Sequence, residues 1–239
     1  MRVRAELTPR GPYPDVVALL DVLKAGSAVP LLMARGAGEV LVTASLRLAR
    51  ELPAEIRLAE RDGLPPEGFD RGINLDELEE LSLAGERVVY VSENLPRALE
   101  LAAGARVVLL GGLRNARWLV KALVAEARVE MTLIAVGHRG EEALDDALAA
   151  GFVAKQLEVR GYEDQNDAAR LASALLRAFP DPQEALLLSS AGAELARRGQ
   201  TEDLARASLI SRDPVVPRLA ESELRSGRWL YRFLPYVPD

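Results

Sequence analysis

The chain has 239 residues, a net charge of −6, 49% apolar and 28% charged residues, no cysteine and a single histidine, His138. That length suits one large α/β domain or two small ones, and the composition is that of a globular protein. The acidic balance argues against broad nucleic-acid binding, and the missing thiols exclude disulfides, zinc–thiolate sites and thiol catalysis, so any divalent ion would be held by oxygen.

The first residues, Met1-Arg2-Val3-Arg4-Ala5-Glu6, lack the apolar core of a signal peptide, and no apolar run reaches membrane-spanning length. A cytoplasmic protein without membrane contact is expected. Residues 16–22 read as a buried strand that carries Asp21 at its end. Asp21 is a candidate metal ligand or proton acceptor; the alternative is a cap on the following turn. Lys24-Ala25-Gly26-Ser27 then places a cation and small residues before a helix over 27–37, a pattern that suits a phosphate, with Pro30 expected in its first turn.

A strand over 39–44 leads to Ser45 as N-cap of a helix over 46–52, and residues 55–60 alternate as a half-exposed strand does. Glu60-Arg61-Asp62 closes that strand, either as a second oxygen ligand or as a solvated charge run. Residues 62–73, rich in Gly and Pro, form a long loop before a short acidic helix over 75–83. Strands over 87–91 and 106–110 enclose a helix over 94–103. Gly111-Gly112-Leu113-Arg114-Asn115 follows the second of these strands and opens a helix over 114–127. Glycine N–H groups, a helix N-terminus and the two-pronged Arg114 fit an anion; a tight turn with a solvated arginine is the equal alternative. After a strand over 130–136 comes Gly137-His138-Arg139-Gly140, with His138 read as a surface or capping residue rather than a general base. A helix over 141–157 begins near Asp145 and Asp146, of which one at most points into a site.

Helices are then expected over 164–179, 181–198 and 201–207, with short edge strands at 208–210 and 229–234. The alternation of strands and helices predicts a three-layer α/β/α fold, a largely parallel sheet with a helical C-terminal elaboration, in one domain over residues 1–239. Polar or glycine-rich residues end six predicted strands, so one site at the carboxyl edge of the sheet is expected.

These residues, in this order, resemble the 2-phosphosulfolactate phosphatase family. Asp21-Val22-Leu23-Lys24-Ala25-Gly26-Ser27 is similar to a family strand end that reads Asp-Val-Leu-Arg-Ala-Thr-Thr. Ala59-Glu60-Arg61, the loop from Gly68 to Leu75, Ser92-Glu93-Asn94-Leu95-Pro96 and the turn from Gly111 to Ala116 resemble further elements in sequence. So do the stretch from Ala135 to Gly151, with its Asp145-Asp146 pair, the late Gly199-Gln200-Thr201-Glu202-Asp203-Leu204, and Val216-Pro217. The chain departs from the family pattern at Lys24, at Gly26-Ser27 and at Leu95-Pro96.

The resemblance implies a magnesium-dependent phosphatase acting on a small phosphorylated 2-hydroxy acid. It implies Asp21, Lys24, Asn94 and Asp145 as catalytic residues, Asp21, Glu60 and Asp146 as Mg2+ ligands, and Gly111, Gly112, Arg114 and Asn115 as substrate-binding residues. The partner would be a small anionic substrate, with a homo-oligomer open. The departures at anion-contacting positions leave a second expectation, a ligand-binding or regulatory protein that kept the scaffold without turnover.

Overall fold

The computed structural model describes residues 1–162 and 165–238. In chain order the strands are β1 (Arg2–Glu6), β2 (Val16–Leu20), β3 (Glu39–Thr43), β4 (Ile56–Leu58), β5 (Arg87–Val91), β6 (Val107–Gly111), β7 (Glu130–Ala135), β8 (Val216–Arg225) and β9 (Arg228–Tyr236). The helices are α1 (Ala25–Ala34), α2 (Leu46–Glu51), α3 (Leu75–Glu79), α4 (Leu95–Ala102), α5 (Ala116–Glu126), α6 (Leu144–Glu158), α7 (Asp167–Ala178), α8 (Pro182–Leu188), α9 (Ser190–Arg197) and α10 (Thr201–Ala207). The strands form one sheet in the order β1-β7-β2-β6-β8-β9-β3-β5-β4, and its parallel pairings outnumber the antiparallel ones. The class is α/β, as expected. β2 and β6 are buried along their whole length, which their unbroken apolar sequences require of strands covered on both faces.

Each of the six expected strands forms, with ends shifted by a few residues at most. The outer β1, whose exposed and buried residues alternate, pairs with β7 and was not anticipated. Residues 229–234, expected at an edge, belong to β9 inside the sheet, between β8 and β3. Residues 208–210 form a helix end and turn rather than a strand. The helix expected over 181–198 breaks at Ser189, whose side chain accepts from the Gly192 N–H and so starts α9 afresh. Pro30 lies inside α1 rather than in its first turn, because the helix begins earlier, at Ala25. Burial of nearly all of α1 outweighs the hydrogen bond that Pro30 cannot donate. Ser45 caps α2 as expected, accepting from the Leu48 N–H at 3.1 Å. The expected start of the first of the three late helices, Asp164, lies outside the described residues; α7 is capped by Asn166.

The pairing senses divide the sheet into two parallel blocks. β1, β7, β2 and β6 run one way; β3, β5 and β4 run the other way, and the antiparallel β8–β9 hairpin joins them. β6 meets β8 only through Leu109 and Arg218. Loops from the carboxyl ends of both blocks nevertheless touch. Lys24, after β2, reaches Glu60, after β4, at 2.8 Å, and the Arg139 N–H, after β7, donates to Asn94, after β5, at 3.0 Å. Among the described residues, no helix is long and apolar enough to cross a membrane.

Candidate active site

Where these loops meet there is a cavity of about 270 Å³, lined by Asp21, Lys24, Glu60, Tyr90, Asn94, His138, Arg139, Glu194 and Arg198 among others. Its inner wall begins at the end of β2. Asp21 is 4% exposed. Its N–H donates to the Gly111 carbonyl at 3.2 Å, and its own carbonyl accepts from Gly26 at 2.5 Å. Gly26 permits this crossing, since a Cβ there would sit 2.1 Å from the Gly111 carbonyl oxygen. Ser27 completes the corner by donating to the Val22 carbonyl at 2.8 Å. The opposing turn, Gly137 to Glu141, closes through paired hydrogen bonds between His138 and Glu141.

Three buried aspartates cluster at and behind this wall. Burial, followed by the charge of Asp145, pushes the Asp21 carboxyl up to about 7. Burial raises Asp145 to about 6, against the pull of its own N–H and of the Ser189 hydroxyl. Asp146 is held well above its ordinary value by burial, then by Asp145 and Asp21. Only Asp21 of the three lines the cavity. Asp146 is a tie between loops: its two oxygens accept from the Val22 N–H at 2.7 Å and the Gly137 N–H at 2.8 Å. Asp145 Oδ1 is buried and unpartnered.

Lys24 is fully engaged. Its ammonium lies 2.8 Å from Glu60, 2.9 Å from the Ile73 carbonyl and 2.8 Å from Asp203, at the start of α10. Burial raises the Asp203 carboxyl while Lys24 pulls it down, and its other oxygen accepts from the Leu75 N–H at 2.7 Å. Tyr90 projects from β5 into this acidic group; burial and the charges of Asp21, Glu60 and Asp203 hold its hydroxyl protonated. The rim mixes charges: Arg61, Arg139 and Arg198 stand among Asp62, Glu93 and Glu194. Glu194 of α9 receives Arg139 at 3.0 Å and Arg198 at 2.6 Å, with His138 at 3.5 Å. Tyr90, Glu194 and Arg198 carried no signal of their own; Asp203 lay within the late segment that resembled the family.

The structure brings Asp21, Lys24, Glu60 and Asn94 to one cavity and sets Asp145 behind it. The expected substrate-binding turn lies elsewhere. Arg114 is 1% exposed, pairs with Asp213 at 2.7 Å and Glu79 at 2.9 Å, and donates to the Arg206 carbonyl at 2.9 Å. Asn115 accepts the Gly112 N–H at 3.1 Å and donates to the Leu110 and Val215 carbonyls. Gly111 faces Asn115, where a Cβ would lie 2.5 Å from its Oδ1. Donors expected to meet a ligand are therefore consumed within the protein, by Glu79, by the turn itself and by Arg206, Asp213 and Val215 of the C-terminal segment.

The expected magnesium trio of Asp21, Glu60 and Asp146 is not gathered in one cavity: Asp21 and Glu60 line it, with Glu60 held by Lys24, while Asp146 lies outside the lining and ties two backbone N–H groups. Among the described residues no group of three or more His, Asp or Glu is disposed around a metal position. Asp21 and Asp145 do fit the simpler arrangement, in which one or two carboxylates hold the ion and water or substrate phosphate supplies the rest.

The family model described as 2-phosphosulpholactate phosphatase matches residues 3–222. The chain is 36% identical over 228 residues to a Deinococcus radiodurans protein named probable 2-phosphosulfolactate phosphatase, covering 93% of this chain and 95% of that one. A Thermus thermophilus protein of the same name is 34% identical over 224 residues, covering 92% and 94%. Another of that name, from Carboxydothermus hydrogenoformans, is 27% identical over 216 residues, covering 89% and 88%. With its ordered strand-end motifs and a family match running nearly from end to end, the chain belongs to the 2-phosphosulfolactate phosphatase family.

Proposed function

We propose that this chain is a phosphatase that hydrolyses the phosphate ester of a small 2-hydroxy acid and works with bound magnesium. One observation carries the reading: Asp21, with the buried Asp145 behind it, stands at the inner wall of a cavity that Arg139, Arg198 and His138 also line. The names of the relatives support it. Magnesium, when bound by Asp21 and Asp145, supplies positive charge that offsets the phosphate oxygens. Arg139, Arg198 and His138 bind the phosphate; they share Glu194, so the entering anion takes over donors that this carboxylate occupies. Hydrolysis joins a water oxygen to phosphorus, breaks the ester P–O bond and returns one proton to the departing alkoxide. Asp21, the one aspartate of the three that lines the cavity, is placed to take the proton of the attacking water. Tyr90 remains a protonated donor beside it. Lys24 positions Glu60 and Asp203, and Asn94 holds the Arg139 turn.

The test is phosphate release from phosphorylated 2-hydroxy acids, with magnesium or with a chelator. Asp21→Asn is expected to lower kcat/KM by roughly 100-fold or more while leaving the melting temperature close to wild type. Equal rates for the two proteins would remove Asp21 from the chemistry, and full activity in chelator would remove the metal. The complete engagement of Lys24 favours one other reading, ligand binding without turnover. Stabilisation by the esters without any phosphate release would select it.

A further inference from the structure

Among the described residues, Tyr13, Tyr90 and Tyr231 are the buried tyrosines. Two of them spend their hydroxyls inside the protein: Tyr13 donates to Glu6 at 2.6 Å and Tyr231 to the Pro96 carbonyl at 3.3 Å. Tyr90 is the exception. It is 2% exposed, lines the cleft and makes no hydrogen bond to another described residue. A buried phenol ordinarily finds a partner, so a hydroxyl left over at a cavity wall is suited to something that enters the cavity. The ring cannot travel to an acceptor. β5 runs between β3 and β4, and Tyr90 stands opposite Val42 and Leu58, both fully buried. Burial keeps the hydroxyl protonated, and of the three carboxylates that reinforce this, Asp21 is foremost, ahead of Glu60 and Asp203. Lys24 is already spent on Glu60, the Ile73 carbonyl and Asp203, which leaves Tyr90 as an uncommitted donor beside Asp21.

We infer that Tyr90 donates its hydroxyl hydrogen bond to the water that attacks phosphorus, and so fixes the direction of attack. The inference rests on the phosphatase reading and deepens it. Attack requires one lone pair of the water oxygen to face phosphorus while one of its protons goes to Asp21. With Asp21 as its one partner, the water is free to turn about that hydrogen bond. A donor on the second lone pair aims the first. The water's proton passes to Asp21, the new P–O bond forms as the ester P–O bond breaks, and the departing alkoxide takes up one proton. The phenol keeps its own proton throughout. Arg139 and His138, from the turn after β7, and Arg198, after α9, are the groups assigned to the phosphate, whereas Tyr90 belongs to β5. Loss of its hydroxyl therefore slows attack without loosening the substrate.

The experiment compares wild type with Tyr90→Phe, which keeps the ring and removes the hydroxyl, on the phosphate esters of lactic acid and of trifluorolactic acid. With both esters kcat is expected to fall roughly 10- to 100-fold while KM stays within about twofold of wild type. The melting temperature should stay close to wild type, since no internal hydrogen bond is lost. The two esters should suffer alike, because the attacking water is common to both and the fluorines ease only the departure of the alkoxide. Orthovanadate, which adopts the five-coordinate geometry with an oxygen at the water's place, should inhibit the variant about tenfold less well, whereas inhibition by inorganic phosphate should not change. Unchanged kcat overturns the inference. So does a loss confined to the lactate ester, which would put the hydroxyl on the leaving oxygen, and so does equal weakening of both inhibitors. If wild type hydrolyses neither ester, the phosphatase reading falls and the inference with it.

Discussion

Arg114 and Asp213 stand 99 residues apart in the chain and meet at 2.7 Å, both buried. A glycine-rich turn ending in arginine has the same local chemistry whether its donors meet a ligand or a distant part of the protein, so residues 111–115 alone left both alternatives open. Arg114→Ala strands the Asp213 carboxylate in the interior and is expected to cost about 3–5 kcal/mol in urea unfolding. KM in the folded fraction should stay at the wild-type value; a raised KM with unchanged stability would return Arg114 to the substrate. Asp15 makes a second structural cluster. It is 5% exposed and accepts from the N–H groups of Arg128, Val129 and Glu130 at 2.7, 2.6 and 3.0 Å, with Arg106 at 2.9 Å. Burial pushes its carboxyl up, but these donors prevail and hold it at about 2, below its ordinary 3.8. A carboxyl lowered by folding stabilises fully above its unfolded value and loses that contribution as pH falls through the folded one. Asp15→Asn is therefore expected to cost about 1–2 kcal/mol at neutral pH, a difference that shrinks between about pH 4 and pH 2. Denaturant midpoints at the two ends of that window decide it; a gap that persists undiminished in acid would show that geometry, not charge, is at work.

Among the elements, those whose signals are local came out as read. Ser45 caps α2, β5 spans Arg87–Val91, and α10 spans Thr201–Ala207, because cap chemistry and apolar runs act within a few residues. The β8–β9 hairpin is the opposite case: no strand was expected over Val216–Arg225, and residues 229–234 of β9 were expected at an edge. Its tip is exposed and strongly charged, with Glu221, Glu223, Arg225 and Arg228 on the outside, so its composition suggests a sheet edge. Its inner part is core: Tyr231 and Phe233 are buried and pair with Val42 and Val40 of β3. Phe233→Ala is expected to destabilise the protein by about 3–5 kcal/mol through the cavity it opens. A loss below about 1 kcal/mol would place this strand outside the core after all.

At the scale of the molecule, the site exists because two parallel blocks of opposite sense bring their carboxyl-end loops together and the C-terminal helices close over them. Asp21, Lys24, Glu60 and Asn94 end or follow different strands and share one cavity, as the strand-end pattern implied. The partners that define their state come from further along: Asp145 behind Asp21, Glu194 and Arg198 at the rim, Asp203 on Lys24. The amino-acid sequence by itself determined the α/β class, six of the seven strands of the two blocks, the family and most of the acidic residues around the cleft, since apolar runs, caps and ordered motifs are properties of neighbouring residues. Only the tertiary structure decided which polar groups remain free to meet a ligand. Asp146, Arg114 and Asn115 carry the right chemistry but spend it on backbone and side-chain partners far away in the chain, and hydrogen-bond capacity once satisfied inside the protein is no longer available to a substrate.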